Sequence, residues 1–199
     1  MKKLLLLFTV VTLSAMQSFA QDSRFYIGVG VGYATAGGDV ENLKGGVSLN
    51  FLNLGCRFNE TFGITANLSS TVHPIDGYDD AAFGVGSFSV GPMISFSLSD
   101  NVSWDLKPQY AFSVKGVFAG DDLGVLDEFE YSGNAFIFAN SLVFGDGRSG
   151  FAFSVDLDYL SGKFTEGGAL GHFLDLEDLF GENVKINNLK IGVGLRYNF

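Results

Sequence analysis

The chain has 199 residues with 22 acidic and 12 basic side chains, and its net charge of −10 excludes nucleic acid as a partner. Its one cysteine, Cys56, rules out an intramolecular disulfide and a zinc-type cysteine cluster. Aromatics at 15% and 27 glycines, with no apolar run after residue 20 long enough for a membrane helix, point to an all-β chain.

The first element is an export signal. Lys2 and Lys3 precede an apolar run over 4–13, and Ser18 and Ala20 occupy the small-residue positions of a cleavage site. Residues 1–20 therefore read as a secretory signal peptide, the run being too short to span a membrane. Position 21 is Gln, so no lipid anchor is expected there. Residues 21–199 suit one domain, with 10 basic and 22 acidic residues and hence a net charge of −12.

Alternation then recurs along the chain, the mark of strands whose two faces meet different surroundings. Phe25, Ile27, Val29, Val31 and Tyr33 share one parity, with Gly28, Gly30 and Gly32 on the other. A second segment near 47–58 slips in parity between Phe51 and Leu52, as a β-bulge would cause. Phe62, Ile64, Ala66 and Leu68 alternate with Gly63, Thr65, Asn67 and Ser69. Phe88, Val90, Ile94, Phe96 and Leu98 alternate with Ser89, Gly91, Ser95 and Ser97. Next, Val102, Trp104, Leu106, Tyr110, Phe112 and Val114 oppose Ser103, Asp105, Lys107, Gln109, Ser113 and Lys115. Pro92 and Pro108 fall inside these last two strands, where each removes a ladder donor and predicts a bulge or break. A weaker sixth segment covers 133–145 and carries Asn140 on its apolar parity. Phe151, Phe153, Val155, Leu157 and Tyr159 alternate with Ala152, Ser154, Asp156 and Asp158. Leu189, Ile191, Val193, Leu195, Tyr197 and Phe199 close the series against Lys190, Gly192, Gly194, Arg196 and Asn198. The count is eight.

The connections set the topology. Short turns at 59–61, 99–101 and 146–150 alternate with long loops at 35–46, 73–84, 119–132 and 161–187. That is the pattern of an eight-stranded antiparallel up-and-down transmembrane β-barrel, with short periplasmic turns and long external loops. An eight-stranded interior is just wide enough to be filled by side chains, too small for every large apolar residue named above. The large apolar face must therefore point outward into lipid and the small, polar face inward. Closure follows because an open edge in lipid leaves backbone groups unpaired. Tyr33, Phe58, Phe62, Trp104, Phe144, Tyr197 and Phe199 are candidates for the interfacial girdles.

The last strand, "KIGVGLRYNF", resembles the C-terminal insertion signal of bacterial outer-membrane proteins through Lys190, Gly192, Leu195, Tyr197 and Phe199. Over nearly its whole length the mature chain resembles the small OmpA/OmpX-type and opacity-protein-like barrels, the "porin family" of outer-membrane domains. The resemblance implies a Gram-negative cell outer membrane as the location, the barrel-assembly machinery as the partner during insertion, and outer-membrane lipid and lipopolysaccharide around the barrel.

Two sets of residues are candidates for function. Asp105, Lys107, Lys115, Asp156, Asp158, Lys190 and Arg196 share the inward parity, and ionised groups in a narrow lumen must pair or be hydrated. A salt-bridge network is expected, with Asp156 and Asp158 facing Lys190 and Arg196; the alternative is a hydrated ion path. The four long loops hold 15 acidic residues against Lys44, Lys163 and Lys185, which again gives −12. These read as a solvated rim, with divalent cations at Asp121, Asp122, Asp127, Glu128 and Glu130 as the sharper reading. His73 and His172 fall in external loops, and a catalytic set of Ser69 or Ser70, His73 and Asp76 matches no motif of the lipid-modifying barrel enzymes. In 161–187, Phe173, Leu176 and Phe180 at helical spacing read as a mouth-capping helix or, preferably, a loop with its own small core.

The expected function is non-enzymatic, with no cofactor: a filled barrel that serves envelope structure or adhesion, or binds an extracellular ligand or host surface through its acidic loops. A narrow porin-like channel is the alternative, and a lipid-modifying outer-membrane enzyme the third reading.

Overall fold

The computed structural model describes residues 25–40, 42–120, 129–145, 149–169 and 172–199. The expected signal segment and the acidic residues Asp121, Asp122, Asp127 and Glu128 lie outside them. The strands are β1 (Phe25–Gly38), β2 (Gly46–Arg57), β3 (Phe62–Pro74), β4 (Ala82–Ser99), β5 (Val102–Ala119), β6 (Phe129–Phe144), β7 (Gly150–Ala169), β8 (His172–Asp175) and β9 (Val184–Asn198), with a one-turn helix α1 (Leu176–Phe180) after β8. Strands β1 to β7 pair with their sequence neighbours in antiparallel fashion, and β9 joins β7 to β1. The ring is thus closed by eight strands. The short β8 adds only a hairpin on the upper end of β7.

The outer surface is apolar from strand to strand. Val29, Val31, Phe51, Phe62, Phe138, Leu157, Ile191 and Leu195 all stand exposed on it, whereas their inward neighbours are small or polar. A closed ring with such a wall is a transmembrane β-barrel, since only a closed sheet satisfies its backbone in lipid. Every aromatic proposed for the girdles faces outward, and three of them join ring contacts at the lower end: Phe25–Phe199, Phe96–Trp104 and Tyr197–Phe199 have ring centroids 5.7, 5.6 and 5.1 Å apart. Phe199 also donates its backbone N–H to the Phe25 carbonyl at the β1–β9 seam (2.9 Å).

Three of the irregularities in the wall bear on the sequence reading. The register of β2 shifts at Phe51 against both neighbours, so Val47, Leu49 and Phe51 face lipid above the bulge while Gly55 and Arg57 turn inward below it. Pro92 and Pro108 lie opposite one another: β4–β5 pairing lapses between Val90–Tyr110 and Ile94–Leu106 without a change of register. Two missing N–H donors thus share one gap in the ladder. A further bulge at Phe112–Ser113 shifts β5 against both β4 and β6. It was not anticipated from the sequence, and it inverts the faces above it. Val114 turns into the lumen, and Lys115, expected inside, projects outward with its ammonium 4.9 Å from the Phe173 ring.

Strand lengths also depart from expectation. About 9–11 tilted residues cross a bilayer, yet β4 to β7 run to 16–20 residues. Their upper ends consume much of the segments read as long loops, so Glu130 and Glu166 sit on strands. Asn140, on the lipid-facing side, donates its amide to the Leu157 carbonyl of the next strand (3.3 Å), which supplies the partner that lipid cannot.

Candidate functional site: the lumen and its rim

The lower lumen is built around Asp105, which is fully buried and draws partners from three other strands. Arg196 Nη1 donates to its Oδ2 at 2.7 Å, Arg57 Nη2 to its Oδ1 at 3.2 Å and Ser95 Oγ to Oδ1 at 2.7 Å. The Arg196 guanidinium also lies 4.6 Å from the centre of the Tyr26 ring. Arg57 was not among the sequence candidates. The only signal that could have found it is the β2 bulge, which carries it to the inward face.

Above this cluster, Lys107 donates to Ser141, and Ser141 and Ser154 both donate to the Asp156 carboxylate. Asp158 and Lys190 are cross-strand partners in register, but the Lys190 ammonium donates to Ser69 (3.2 Å). The structure therefore brings Asp105, Lys107, Asp156, Asp158, Lys190 and Arg196 into one lumen with Arg57. It excludes Lys115, and it pairs Arg196 with Asp105 instead of with Asp156 or Asp158. Counting Arg57, Lys107, Lys190 and Arg196 against Asp105, Asp156 and Asp158, four cations face three anions. Among the described residues the lumen holds small polar voids, two of them with room for about one water each. They lie along the glycine wall of β1 and β9, beside Asn50, Asp156, Asp158 and Lys190 in one case and Lys107, Ser154 and Arg196 in the other. Position 32 of that wall must be glycine: a Cβ there would sit 2.3 Å from the Ile191 carbonyl oxygen.

The upper lumen is apolar. Phe83, Val85, Val114, Ile137, Leu160, Phe164, Leu176 and Ile186 form one buried cluster inside the ring, with Phe83 edge-on to Phe164 at 6.2 Å. Leu176 comes from α1. The Asp175 side chain caps that helix by accepting from Glu177 N–H (2.8 Å), and Gly181 ends it at φ 79°. Among the described residues the segment's leucine completes the core of the barrel mouth instead of a core of its own, and Phe173 lies in β8, exposed.

His73 is likewise inside, on β3, and not in a loop. Its Nδ1 lies 3.1 Å from the Lys44 carbonyl, and the Asn188 amide, oriented to satisfy its neighbours, donates to Nε2 at 3.2 Å. The ring is thus a neutral Nδ1–H donor held between backbone and amide. Ser69 bonds Ser87, Ser70 lies on the opposite face, and Asp76 pairs with Lys44 on the exterior (2.7 Å). Serine, histidine and acid are therefore not in line for a proton relay. Lys44 holds the exposed Asp76 carboxyl below the usual carboxylate range, first by its hydrogen bond and then by its charge. Among the described residues no three metal-ligating side chains converge.

No protein-family model matches the chain. No curated protein matches it in sequence. Among solved structures, neisserial surface protein A superposes with a TM-score of 0.57 at 13% identity, over 89% of this chain and 98% of that one. Ail, the attachment invasion locus protein of Yersinia pestis, solved with the heparin analogue sucrose octasulfate, gives a TM-score of 0.50 at 18% identity, over 87% and 97%. At such identities the likeness is one of fold, and the fold is that of the small eight-stranded membrane barrels.

Proposed function

We propose that the chain is an integral outer-membrane β-barrel whose lumen is closed to solutes and whose function lies at its external rim, as a structural or surface-binding element without catalysis. The observation that carries this reading is the apolar cluster around Phe83, Phe164 and Leu176, stacked above a charge-paired lower lumen. Ions entering from below would have to pass from Asp105 and Lys190 through a packed hydrocarbon layer, where an unpaired charge is heavily penalised. Ail, whose name records attachment, supports a surface-contact role for this fold; the acidic rim here does not suit a polyanion such as a heparin analogue. Lipopolysaccharide with bridging divalent cations, or a cationic extracellular or host surface, fits it better. Insertion by the barrel-assembly machinery through Lys190, Gly192, Leu195, Tyr197 and Phe199 belongs to the same proposal, as does removal of residues 1–20.

The test is conductance of the full barrel in planar bilayers. The proposal expects a silent wild type and current only when Phe164 and Leu176 are both replaced by alanine. Wild-type current that Lys107 or Arg196 substitutions alter would establish the channel reading instead. Lipid modification that disappears in His73→Ala or His172→Ala would establish an enzyme.

A further inference from the structure

The outer face of the β7–β9 seam can be read rung by rung. From the lower end its cross-strand pairs are Phe151–Tyr197, Phe153–Leu195, Val155–Val193, Leu157–Ile191 and Tyr159–Leu189, then Ser161–Asn187, then Lys163–Lys185. From Phe151 to Ser161 the strand advances about 34 Å, or about 26 Å along the barrel axis at a tilt of about 40°. That matches the apolar band of about 25 Å in membrane barrels. Ser161 and Asn187, the latter approached by the Tyr159 hydroxyl at 3.5 Å, therefore mark the upper edge of the hydrocarbon. Lys163 and Lys185 stand one rung higher, at the level of the outer-leaflet headgroups.

Both lysines are exposed and point outward. Directly opposed like charges on neighbouring strands, with Cβ atoms about 5 Å apart, destabilise a sheet. No ion pair relieves them among the described residues. The nearby Asp39 carboxylate accepts the Lys185 backbone N–H instead (2.8 Å), and Glu166 begins the acidic rim above. The other exterior lysines are otherwise engaged: Lys44 with Asp76, and Lys115 over Phe173.

We infer that Lys163 and Lys185 form a binding site for the phosphomonoester of an outer-leaflet glycolipid, which turns their mutual repulsion into a two-pronged, charge-assisted clamp. The inference rests on the outer-membrane reading above and names its lipid partner at two residues. The phosphate sits between the two ammonium groups while the acyl chains run down beside Tyr159, Leu189 and Ile191. The acidic rim above disfavours free polyanions, so the lipid, whose chains add apolar contact, is the source of the anion.

Binding would be measured by native mass spectrometry of the detergent-solubilised full-length barrel. Bisphosphorylated lipid A is the probe, and the same lipid stripped of its phosphates is the control. Surface lysines contribute about fivefold each against an anionic lipid layer, so Lys163→Gln with Lys185→Gln should weaken lipid A binding by roughly thirtyfold. Lys44→Gln should leave binding unchanged, and inorganic phosphate in large excess should not displace the lipid. Lys185→Gln alone provides an intermediate loss should the double variant assemble poorly. The inference is overturned if the double variant binds lipid A like the wild type, if the dephosphorylated lipid binds equally well, or if inorganic phosphate competes it off. Heat modifiability of the same sample separates the two levels: a single gel mobility would refute the membrane barrel itself before any lipid is added.

Discussion

Asp105→Ala is the most incisive perturbation of the lumen. The carboxylate is fully buried and is the acceptor for Arg196 at 2.7 Å and Arg57 at 3.2 Å, so its removal leaves two guanidinium groups facing each other. The charge count of the lower lumen rises from four against three to four against two. Breaking a buried pair by deleting one partner costs about 3–5 kcal/mol. Arg57→Met removes one of two cations and leaves Asp105 held by Arg196, so it should cost only about 1.5–3 kcal/mol, the range for a hydrogen bond to a charged group. Asp105→Asn keeps an acceptor and should fall between them. Trp104, the only tryptophan of the chain, is the next residue and faces lipid, so its emission reports the folded wall. Urea titrations in lipid vesicles, followed by that emission, give the three values. If Asp105→Ala costs less than about 1 kcal/mol, or less than Arg57→Met, the lower lumen is hydrated enough to screen its charges and the paired cluster is not what fills it.

Three other outcomes are expected. Gly32→Ala should abolish the compact, heat-modifiable gel band, because its Cβ would meet the Ile191 carbonyl at the β1–β9 seam, whereas Gly86→Ala, with open space around its Cβ, should assemble normally. Deleting Phe199 removes ring contacts to Phe25 and Tyr197 and one seam hydrogen bond; folding yield into vesicles should fall while barrels that do form remain heat-modifiable. The Asp76 carboxyl, depressed by Lys44, should titrate below its unfolded value when followed by carboxyl NMR, and Lys44→Gln should raise its midpoint. Because the folded value is the lower one, the small stabilisation from this pair is complete above the unfolded midpoint and disappears as pH falls through the folded one.

The barrel and its inside-out faces were legible because a period of two, once the solvent outside is taken as lipid, assigns every side chain on a regular strand. The slip between Phe51 and Leu52 even announced its own bulge, since large apolar residues lie on both sides of it. The bulge at Phe112–Ser113 had no such mark: Val114 and Lys115 continue the alternation in the sequence while the wall reverses beneath them. Lys115 was misplaced for that reason. Parity also assigns a face but not a partner across the lumen. Arg196 reaches Asp105, 91 residues away, and not the aspartates of the adjacent strand. Loop boundaries failed because strands rising into water obey a different pattern from strands in lipid. His73 looked like a loop residue until β3 was found to extend to Pro74.

The reversal at Phe112–Ser113 has a consequence for how the molecule comes apart. Below it the wall is greasy outside and polar within; above it Lys115 and Glu166 face out while Phe83, Val114 and Phe164 face in. The same hydrogen-bonded strands thus cross from a fold held by lipid into one held by water, as though a small aqueous barrel had been stacked on a membrane one. Hydrophobic burial away from water holds the second, whereas the closed ladder and its contact with lipid hold the first. The apolar cluster around Phe164 and Leu176 is therefore expected to lose hydrogen-exchange protection before the lipid-facing wall does, as a separate cooperative unit.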